Sequence, residues 1–287
     1  MNRCGSSILL LSAIFLAASC SDRRETGQLS ASAKASKIPT ARERWTNSLG
    51  MVFAPVPETT ARLGIWETRV QDFAAFVEAT GHDTRSEMSI LRGDGWKKLE
   101  GFNWRKPGFE QGPAHPVVGV SWEDAKAFCA WLTKQERAQG IMRPAQRYRL
   151  PTEAEWNQSA GPGKYPWGDI WPPPPGAGNY SGDEARDADW PTNFQTIEGY
   201  HDSFPRTAPV GSFAPNALGI YDLGGNVWEW CDNEDDDSKP RIMRGGSWYF
   251  GKPEYHLTAF RIDAPENYRS SCIGFRVALE SGESAKP

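Results

Sequence analysis

The segment Leu218–Trp230, LGIYDLGGNVWEW, carries the strongest structural signal in this chain. Its thirteen positions hold two tryptophans, two adjacent glycines, an asparagine and two acidic residues. Adjacent glycines favour positive φ, so the backbone is expected to turn tightly here. Asp222 and Glu229 flank a run of carbonyl groups, and hard cations such as Ca²⁺ take oxygen ligands of this kind. The alternative interpretation is a turn with core tryptophans and solvated acids.

The composition of the whole chain predicts an irregular α+β domain. The chain has 287 residues, 39% of them hydrophobic, which suffices for one large domain or two small ones. Its 28 glycines and 22 prolines favour loops, whereas its 13 tryptophans can build a core. A net charge of -4 gives no indication of nucleic-acid or anionic-membrane binding.

The first twenty residues are typical of an export signal. Ile8–Ala18 is an apolar run of eleven residues, too short to span a bilayer. The following residues end in Ala-Ser-Cys and resemble a bacterial lipobox, in which Cys20 would be lipidated. Leu16 stands one place further upstream than usual, so ordinary cleavage remains an alternative. We therefore expect export to the bacterial cell envelope with a lipid anchor at Cys20 as the sole membrane attachment, the alternative being a secreted or periplasmic protein.

The rest of the chain divides into a tether, a domain and a tail. Residues 21–44 contain almost no large apolar side chain and are typical of a flexible tether. The domain is predicted over 45–280, with a short tail over 281–287. Three cysteines fall within it: Cys129, Cys231 and Cys272. An odd number leaves at least one outside any intramolecular disulfide, and no cysteine–histidine cluster indicates zinc or a histidine-rich iron site.

Hydrophobic periodicity predicts a modest set of helices and strands. Helices are expected over 67–79, ended by Gly81, and after the N-cap candidates Ser121 and Thr152. Residues 82–113 are expected to form one long loop. Strands are predicted at 51–57, 115–120 and 148–150, and in the segments 241–249, 256–263 and 272–279.

Seven segments taken in order resemble the formylglycine-generating enzyme, or sulfatase-modifying factor, family. They are HPVVGVSWEDAKAFCAWL at 115–132, YRLPTEAEWNQSA at 148–160, YPWGD at 165–169, TAPVGSF at 207–213, NALGIYDLGGNVWEW at 216–230, RGGSW at 244–248 and IGFRVAL at 273–279. The resemblance implies a single α+β domain with the formylglycine-generating-enzyme fold, which is C-type-lectin-like and has little regular secondary structure.

The resemblance also implies two structural Ca²⁺ sites. In the family, one site takes an Asn side chain, the next carbonyl, an Asp side chain and a carbonyl two residues later. The other takes a polar side chain, two carbonyls and a Glu. The corresponding positions here are Asn179, Tyr180, Asp202 and Phe204 for the first site, and Asp222, Gly225, Val227 and Glu229 for the second. The family usually has Asn where Asp222 stands.

The family's copper chemistry is not expected in this chain. Formylglycine-generating enzymes oxidise a substrate cysteine with O₂, using copper held by two cysteines shortly after a GGS motif, because soft thiolates select Cu(I). Ungapped counting from Ser247 puts Phe250 and Tyr255 at those positions, and neither can supply a thiolate. The family's disulfide from the position of Cys129 is also lost, because its partner position holds Val277.

The catalytic residues therefore stay open, with Trp228, Ser247, Phe250 and Tyr255 as cleft candidates. One hypothesis is an oxidoreductase-type enzyme whose chemistry differs from the copper oxidation of the family. Cys231 and Cys272 could approach one another in such an enzyme; the alternative is that these two cysteines are inert or disulfide-bonded. A second is a non-catalytic module that binds a peptide, protein or glycan through Trp228, Trp248, Tyr249, Phe250 and Tyr255. A third is a structural surface lipoprotein.

Overall fold

The described part of the protein has three α-helices among short strands. It comprises residues 44–84, 87–92, 95–186, 194–232 and 240–282 of a computed structural model. The predicted signal, Cys20 and all but the last residue of the predicted tether lie outside these residues, as do positions 283–287 of the tail. No helix within the described ranges is long and apolar enough to cross a membrane.

A five-stranded antiparallel sheet gathers strands from both ends of the domain. Its order is β1-β2-β3-β11-β6. These strands span Trp45–Thr46 (β1), Val52–Pro55 (β2), Ala61–Gly64 (β3), Arg147–Arg149 (β6) and Ala278–Glu280 (β11). Because β11 pairs with both β3 and β6, the C-terminal strand closes the domain onto its first strands.

A four-stranded sheet carries the opening segment. Its order is β10-β7-β8-β9, comprising Trp228–Trp230 (β7), Arg241–Arg244 (β8), Ile262–Ala264 (β9) and Ile273–Phe275 (β10). β7 pairs in parallel with β10 and antiparallel with β8. All three residues of β7 are buried, so the WEW sequence lies in the middle of the core.

Two of the three helices begin where the capping signals predict, whereas the first begins three residues after the predicted Glu67, with Arg69 as its N-cap. α1 spans Val70–Thr80, α2 spans Trp122–Ala138 and α3 spans Glu153–Ala160. Ser121 and Thr152 each accept a hydrogen bond from the backbone three residues on, and each closes a capping box. Gly81 ends α1 with a φ of 65° and donates its N–H to the Val77 carbonyl. The N-cap and C-cap predictions are therefore confirmed.

Four secondary-structure predictions were wrong in part. The strand predicted at 241–249 ends at Arg244, because Gly245 and Gly246 both have positive φ. Residues 82–113 include a hairpin of Met88–Arg92 (β4) with Gly95–Leu99 (β5), whose buried Ile90 and Leu91 anchor it. The predicted strand at 115–120 forms only one isolated bridge, because its N–H groups bond to several separate segments instead of one partner strand. The segment 256–263 is mostly non-strand: it follows a 3₁₀ turn at Pro253–His256 and enters β9 at Ile262.

Candidate metal sites and aromatic cluster

The glycine-rich turn of the opening segment is held in an unusual backbone conformation. Asp222 and Asn226 adopt φ values of 56° and 53°, a region that non-glycine residues seldom occupy. Side-chain hydrogen bonds fix both residues. Asp222 Oδ2 accepts from the Gly211 N–H at 2.7 Å, and Asn226 Nδ2 donates to Glu67 Oε2 at 2.7 Å. The predicted tight turn is present.

This turn brings the two sets of predicted calcium ligands together. A Cβ on Gly225 would lie 2.2 Å from the Asn179 carbonyl oxygen, so only glycine permits the approach. The Asn226 N–H donates to that same carbonyl at 2.8 Å. Asn179 Nδ2 in turn donates to Asn226 Oδ1 at 3.1 Å. Residues from distant parts of the sequence thus form one polar region.

A buried ion pair dominates the charge around the turn. Arg276 donates to both oxygens of Glu229, Nε to Oε2 at 2.7 Å and Nη2 to Oε1 at 2.6 Å, and both side chains are 0% exposed. Trp156 Nε1 donates to Glu229 Oε2 at 2.9 Å. Glu67 and Asp222 are also buried nearby. Burial and neighbouring carboxylates hold the pKa of Glu67 well above its ordinary value, and burial raises that of Asp222 to about 6.

The second calcium set fits a cation in part. Three carboxyl groups surround one guanidinium, so full ionisation would leave uncompensated negative charge in the core. Asp222 Oδ1 is buried without a hydrogen-bond partner, as expected of an atom that would contact a cation. Glu229 has less capacity to bind a cation, because its carboxylate offers about four acceptor positions and already accepts three hydrogen bonds.

The first calcium set is a clearer fit. Asn179 is 0% exposed, and its Oδ1 has no hydrogen-bond partner. Asp202 lies beside it, since its Oδ2 accepts from the Tyr180 N–H at 2.8 Å and its Oδ1 from the Phe204 N–H at 2.9 Å. The structure therefore brings together all four residues of this set. Burial raises the pKa of Asp202 to about 8, with a contribution from the negative charge of Glu184.

Sequence reasoning missed three charged residues at these sites. Glu184 lies beside Asp202 and forms an ion pair with His201 Nδ1 at 2.7 Å. Glu67 and Arg276 are the others, and both are fully buried. Arg276 lies inside the quoted IGFRVAL segment, so its position was visible, but its partner Glu229 is 47 residues away in the sequence. No local pattern indicates that contact.

The four catalytic candidates form an aromatic cluster with one serine. Trp228 and Ser247 are 1% and 0% exposed, whereas Phe250 and Tyr255 are half-buried. The Phe250 ring centroid lies 4.5 Å from that of Tyr255 and 5.8 Å from that of Trp228. Ser247 Oγ and Trp228 Nε1 are buried without hydrogen-bond partners. The structure thus brings the four candidates together.

The three cysteines of the domain are free and buried. Ile273 pairs with Trp228, so Cys272 aligns with Val227, four residues before Cys231 on the neighbouring strand. At about 3.3 Å per residue the two lie about 13 Å apart along the strands, beyond the roughly 7 Å that a disulfide allows. A disulfide between them is therefore absent. Burial raises the pKa of Cys129 to about 12 and of Cys272 to about 11, and raises that of Cys231.

The described geometry and the ordered motifs are shared with one family of known proteins. The family described as sulfatase-modifying factor enzyme 1-like domain matches residues 58–281. The chain belongs to this family. Among solved structures, PvdO from Pseudomonas aeruginosa superposes with a TM-score of 0.52 at 25% identity, covering 82% of each chain. CarF superposes with a TM-score of 0.51 at 24% identity. The predicted single-domain, C-type-lectin-like α+β fold is confirmed.

Curated relatives of this family member include enzymes and an inactive homologue. The formylglycine-generating enzyme of Streptomyces coelicolor is 32% identical over 80% of this chain and 84% of the relative. The mouse enzyme is 29% identical over 75% of this chain, which spans 64% of it. Bovine "Inactive C-alpha-formylglycine-generating enzyme 2" is 36% identical over 65% of this chain and 59% of the relative. This chain therefore spans less than two thirds of the length of each of the two mammalian relatives.

Proposed function

We propose that this protein is an exported, calcium-stabilised domain that does not perform copper-dependent cysteine oxidation and that binds a ligand on its aromatic cluster. One observation carries the proposal. The rings of Phe250 and Tyr255 pack against each other with centroids 4.5 Å apart, and ungapped counting from Ser247 assigns these two residues to the positions at which the family's copper enzymes hold cysteines. The place of the copper thiolates is therefore filled with apolar carbon.

The remaining thiols supply no replacement pair. Cu(I) selects thiolate ligands, and each ligand must lose its proton. Cys272 precedes β10, where burial raises its pKa to about 11, so binding of Cu(I) would have to displace its proton. Cys231 lies about 13 Å further along the neighbouring strand. Two thiolates therefore do not converge among the described residues.

Calcium binding is supported by the orphaned oxygens of the two candidate sites. Buried oxygens without partners at Asn179 and Asp222, next to carboxyl groups of raised pKa, match the oxygen donors that Ca²⁺ prefers. The first ion would be held by Asn179, Tyr180, Asp202 and Phe204, and the second by Asp222, Gly225, Val227 and Glu229. Bound Ca²⁺ would neutralise buried charge and cross-link the loops around the opening segment.

The ligand site is proposed at the partly exposed rings of the cluster. Tyr249, Phe250 and Tyr255 are half-buried, and they stand on the fully buried Trp228 and Trp248. Aromatic side chains of this kind provide large contact areas for a peptide, protein or glycan at a small cost in conformational entropy. A lipid anchor at Cys20 would display this surface at the cell envelope, and metabolic labelling with a palmitate analogue tests the anchor.

The decisive experiment measures metal content and oxidase activity together. The purified protein is incubated with Cu(I) and Ca²⁺, freed of excess metal and assayed for metals. Oxygen uptake is then followed with a cysteine-containing peptide, with the Streptomyces coelicolor relative as the positive control. We expect bound calcium, less than a tenth of an equivalent of copper and no peptide-dependent oxygen uptake. Stoichiometric copper or cysteine-dependent oxygen uptake would overturn the proposal.

A further inference from the structure

A positively charged cleft of about 860 Å³ lies between the hairpin β4–β5 and the loop that follows it. Arg92, at the end of β4, and Arg105 and Lys106, in the loop, line this cleft together with Phe102 and Phe109. All three cationic side chains are exposed. Their convergence stands in contrast to the net charge of -4 of the whole chain.

The cations are held in place by aromatic rings. The Arg92 guanidinium lies 5.4 Å from the Phe102 ring centroid, and the Lys106 ammonium lies 5.7 Å from the same centroid. The Arg105 guanidinium lies 4.1 Å from the Trp104 ring centroid. A guanidinium stacked in this way keeps its edge N–H groups available for a carboxylate. Phe102 thus presents two positive charges side by side.

The cleft has little negative charge of its own. Among its described lining residues Glu110 is the single carboxylate, against Arg92, Arg105 and Lys106. The ion pair of Arg105 with Glu78 is long, at 3.8 Å, and joins exposed side chains. Such pairs contribute little free energy. Like charges gathered without a matching anion attract negatively charged ligands and raise their local concentration.

Ring contacts connect the Phe109 wall of the cleft with the aromatic cluster. The Phe109 ring lies 5.7 Å from Trp248, and Trp248 lies 6.0 Å from Tyr249. Tyr249 in turn contacts Phe250 at 5.1 Å. Arg206 adds a further guanidinium 5.1 Å from the Trp248 ring centroid. Because Trp248 is 1% exposed, these contacts fix the positions of the two surfaces relative to each other without joining them in one groove. An extended ligand would reach from the cleft to Phe250 across the partly exposed Phe109 and Tyr249.

We infer that this cleft binds the carboxylate side chains of an acidic polypeptide segment whose neighbouring residues lie on the aromatic cluster. Arg92 and Arg105 supply N–H pairs that match a carboxylate, and Lys106 supplies a point charge. The intervening Phe102 and Phe109 suit apolar residues between the acids. The inference rests on the proposed function in one respect, namely that a ligand occupies the aromatic cluster.

The test compares two peptides on the full, calcium-loaded protein. One dye-labelled twelve-residue peptide alternates Glu with Leu and Tyr, and the control peptide has Gln in place of every Glu. Fluorescence anisotropy should show the Glu peptide binding at least tenfold more tightly at low salt, with the difference shrinking as salt is raised. Equal affinities for the two peptides would overturn the inference.

Paired variants locate the binding surface. R92Q/K106Q removes two charges from the cleft, and K98Q/K134Q removes two exposed charges elsewhere. We expect the first variant to weaken binding of the Glu peptide at least tenfold and the second to change it less than twofold, with unchanged melting temperatures. Equal losses in both variants would show that only net charge matters and would overturn the inference.

A membrane surface is the competing occupant. Vesicles with 30% anionic lipid test this alternative. The inference would be overturned if the protein bound the vesicles, lost that binding in R92Q/K106Q and showed no preference for the Glu peptide over the Gln peptide. The oxidase assay separates the two proposals. If the protein takes up oxygen but still prefers the Glu peptide, only the proposed function is overturned. If it takes up no oxygen and shows no preference for the Glu peptide, only this inference is overturned.

Discussion

Phe250 and Tyr255 pack ring against ring, with centroids 4.5 Å apart and an interplanar angle of 46°. The contact continues to Trp228 on one side and to Phe260 on the other. In the copper enzymes that share this fold, two cysteines are expected at the same positions. The family fold is present, and we propose that a packed aromatic cluster stands in place of the residues that define the copper chemistry.

Replacing both rings with cysteine should introduce copper binding. The variant F250C/Y255C restores two thiols at neighbouring positions, and paired thiolates select Cu(I). We expect about one equivalent of Cu(I) per chain in a competition titration with a chromophoric chelator. The single variants F250C and Y255C serve as controls and should bind at least tenfold more weakly. Loss of the rings should also lower the free energy of unfolding by several kcal/mol, about 3 for each ring.

Calcium removal should destabilise the protein. If Ca²⁺ is present at a hundred times its dissociation constant, each site adds about 2.7 kcal/mol to the free energy of unfolding. For a domain of this size that corresponds to about 5–10 °C in melting temperature. Differential scanning fluorimetry with Ca²⁺ or EGTA measures the shift. D202N and D222N should each lose part of the calcium-dependent shift in melting temperature. E123Q, which removes an exposed carboxylate on α2, should retain the whole shift.

The buried ion pair of Glu229 and Arg276 should be intolerant of single changes. Both side chains are 0% exposed, so removing one partner leaves the other charged and desolvated. R276M should lower the free energy of unfolding by about 3–5 kcal/mol in urea titrations. Lys98 and Glu87 form an exposed pair at 2.6 Å, and K98M should cost less than about 1 kcal/mol. Similar losses in the two variants would contradict the assignment.

The elements that sequence could predict are those with local causes. Ser121 and Thr152 begin helices because each is followed three residues later by the acidic partner of a capping box. The calcium residues were assigned from the family resemblance and not from a local pattern, and their binding of Ca²⁺ stays a prediction. The hairpin β4–β5 was missed because its buried residues follow a polar, glycine-containing stretch. The contact between Arg276 and Glu229 depends on the parallel pairing of β7 with β10, which no local pattern specifies.

Cysteine reactivity provides a direct check of the buried thiols. Cys129, Cys231 and Cys272 are each at most 5% exposed, and burial raises the pKa of each. Because the thiolate is the reactive form, none of the three should be alkylated by iodoacetamide in the native protein at pH 8 within an hour. All three should react in 6 M guanidinium chloride without a reductant. Peptide mass mapping distinguishes the sites, and a disulfide-linked peptide would contradict the structure.

Stability without calcium should fall as the pH rises from 6.5 to 8. Burial raises the pKa of Asp202 from 3.8 to about 8, so the folded protein retains a proton that the unfolded chain releases. Stability is then lost with rising pH. His256 does not offset this loss, because its pKa is lowered from 6.5 to about 4 by burial and its effect is confined to that lower range. Urea unfolding in EGTA at several pH values measures the slope.

Bound calcium should reverse this dependence of stability on pH, because the cation favours the ionised form of the carboxylate. Its stabilising effect should therefore grow between pH 6.5 and 8, as the proton on Asp202 becomes easier to displace. D202N removes one of the titrating groups, so its stability in EGTA should fall less over this range than that of the wild-type protein, with Glu67, whose pKa is also raised by burial, supplying the rest of the slope. A wild-type protein whose stability in EGTA rises with pH would show that Asp202 is already ionised without calcium, and that the carboxylates around it are compensated by other groups.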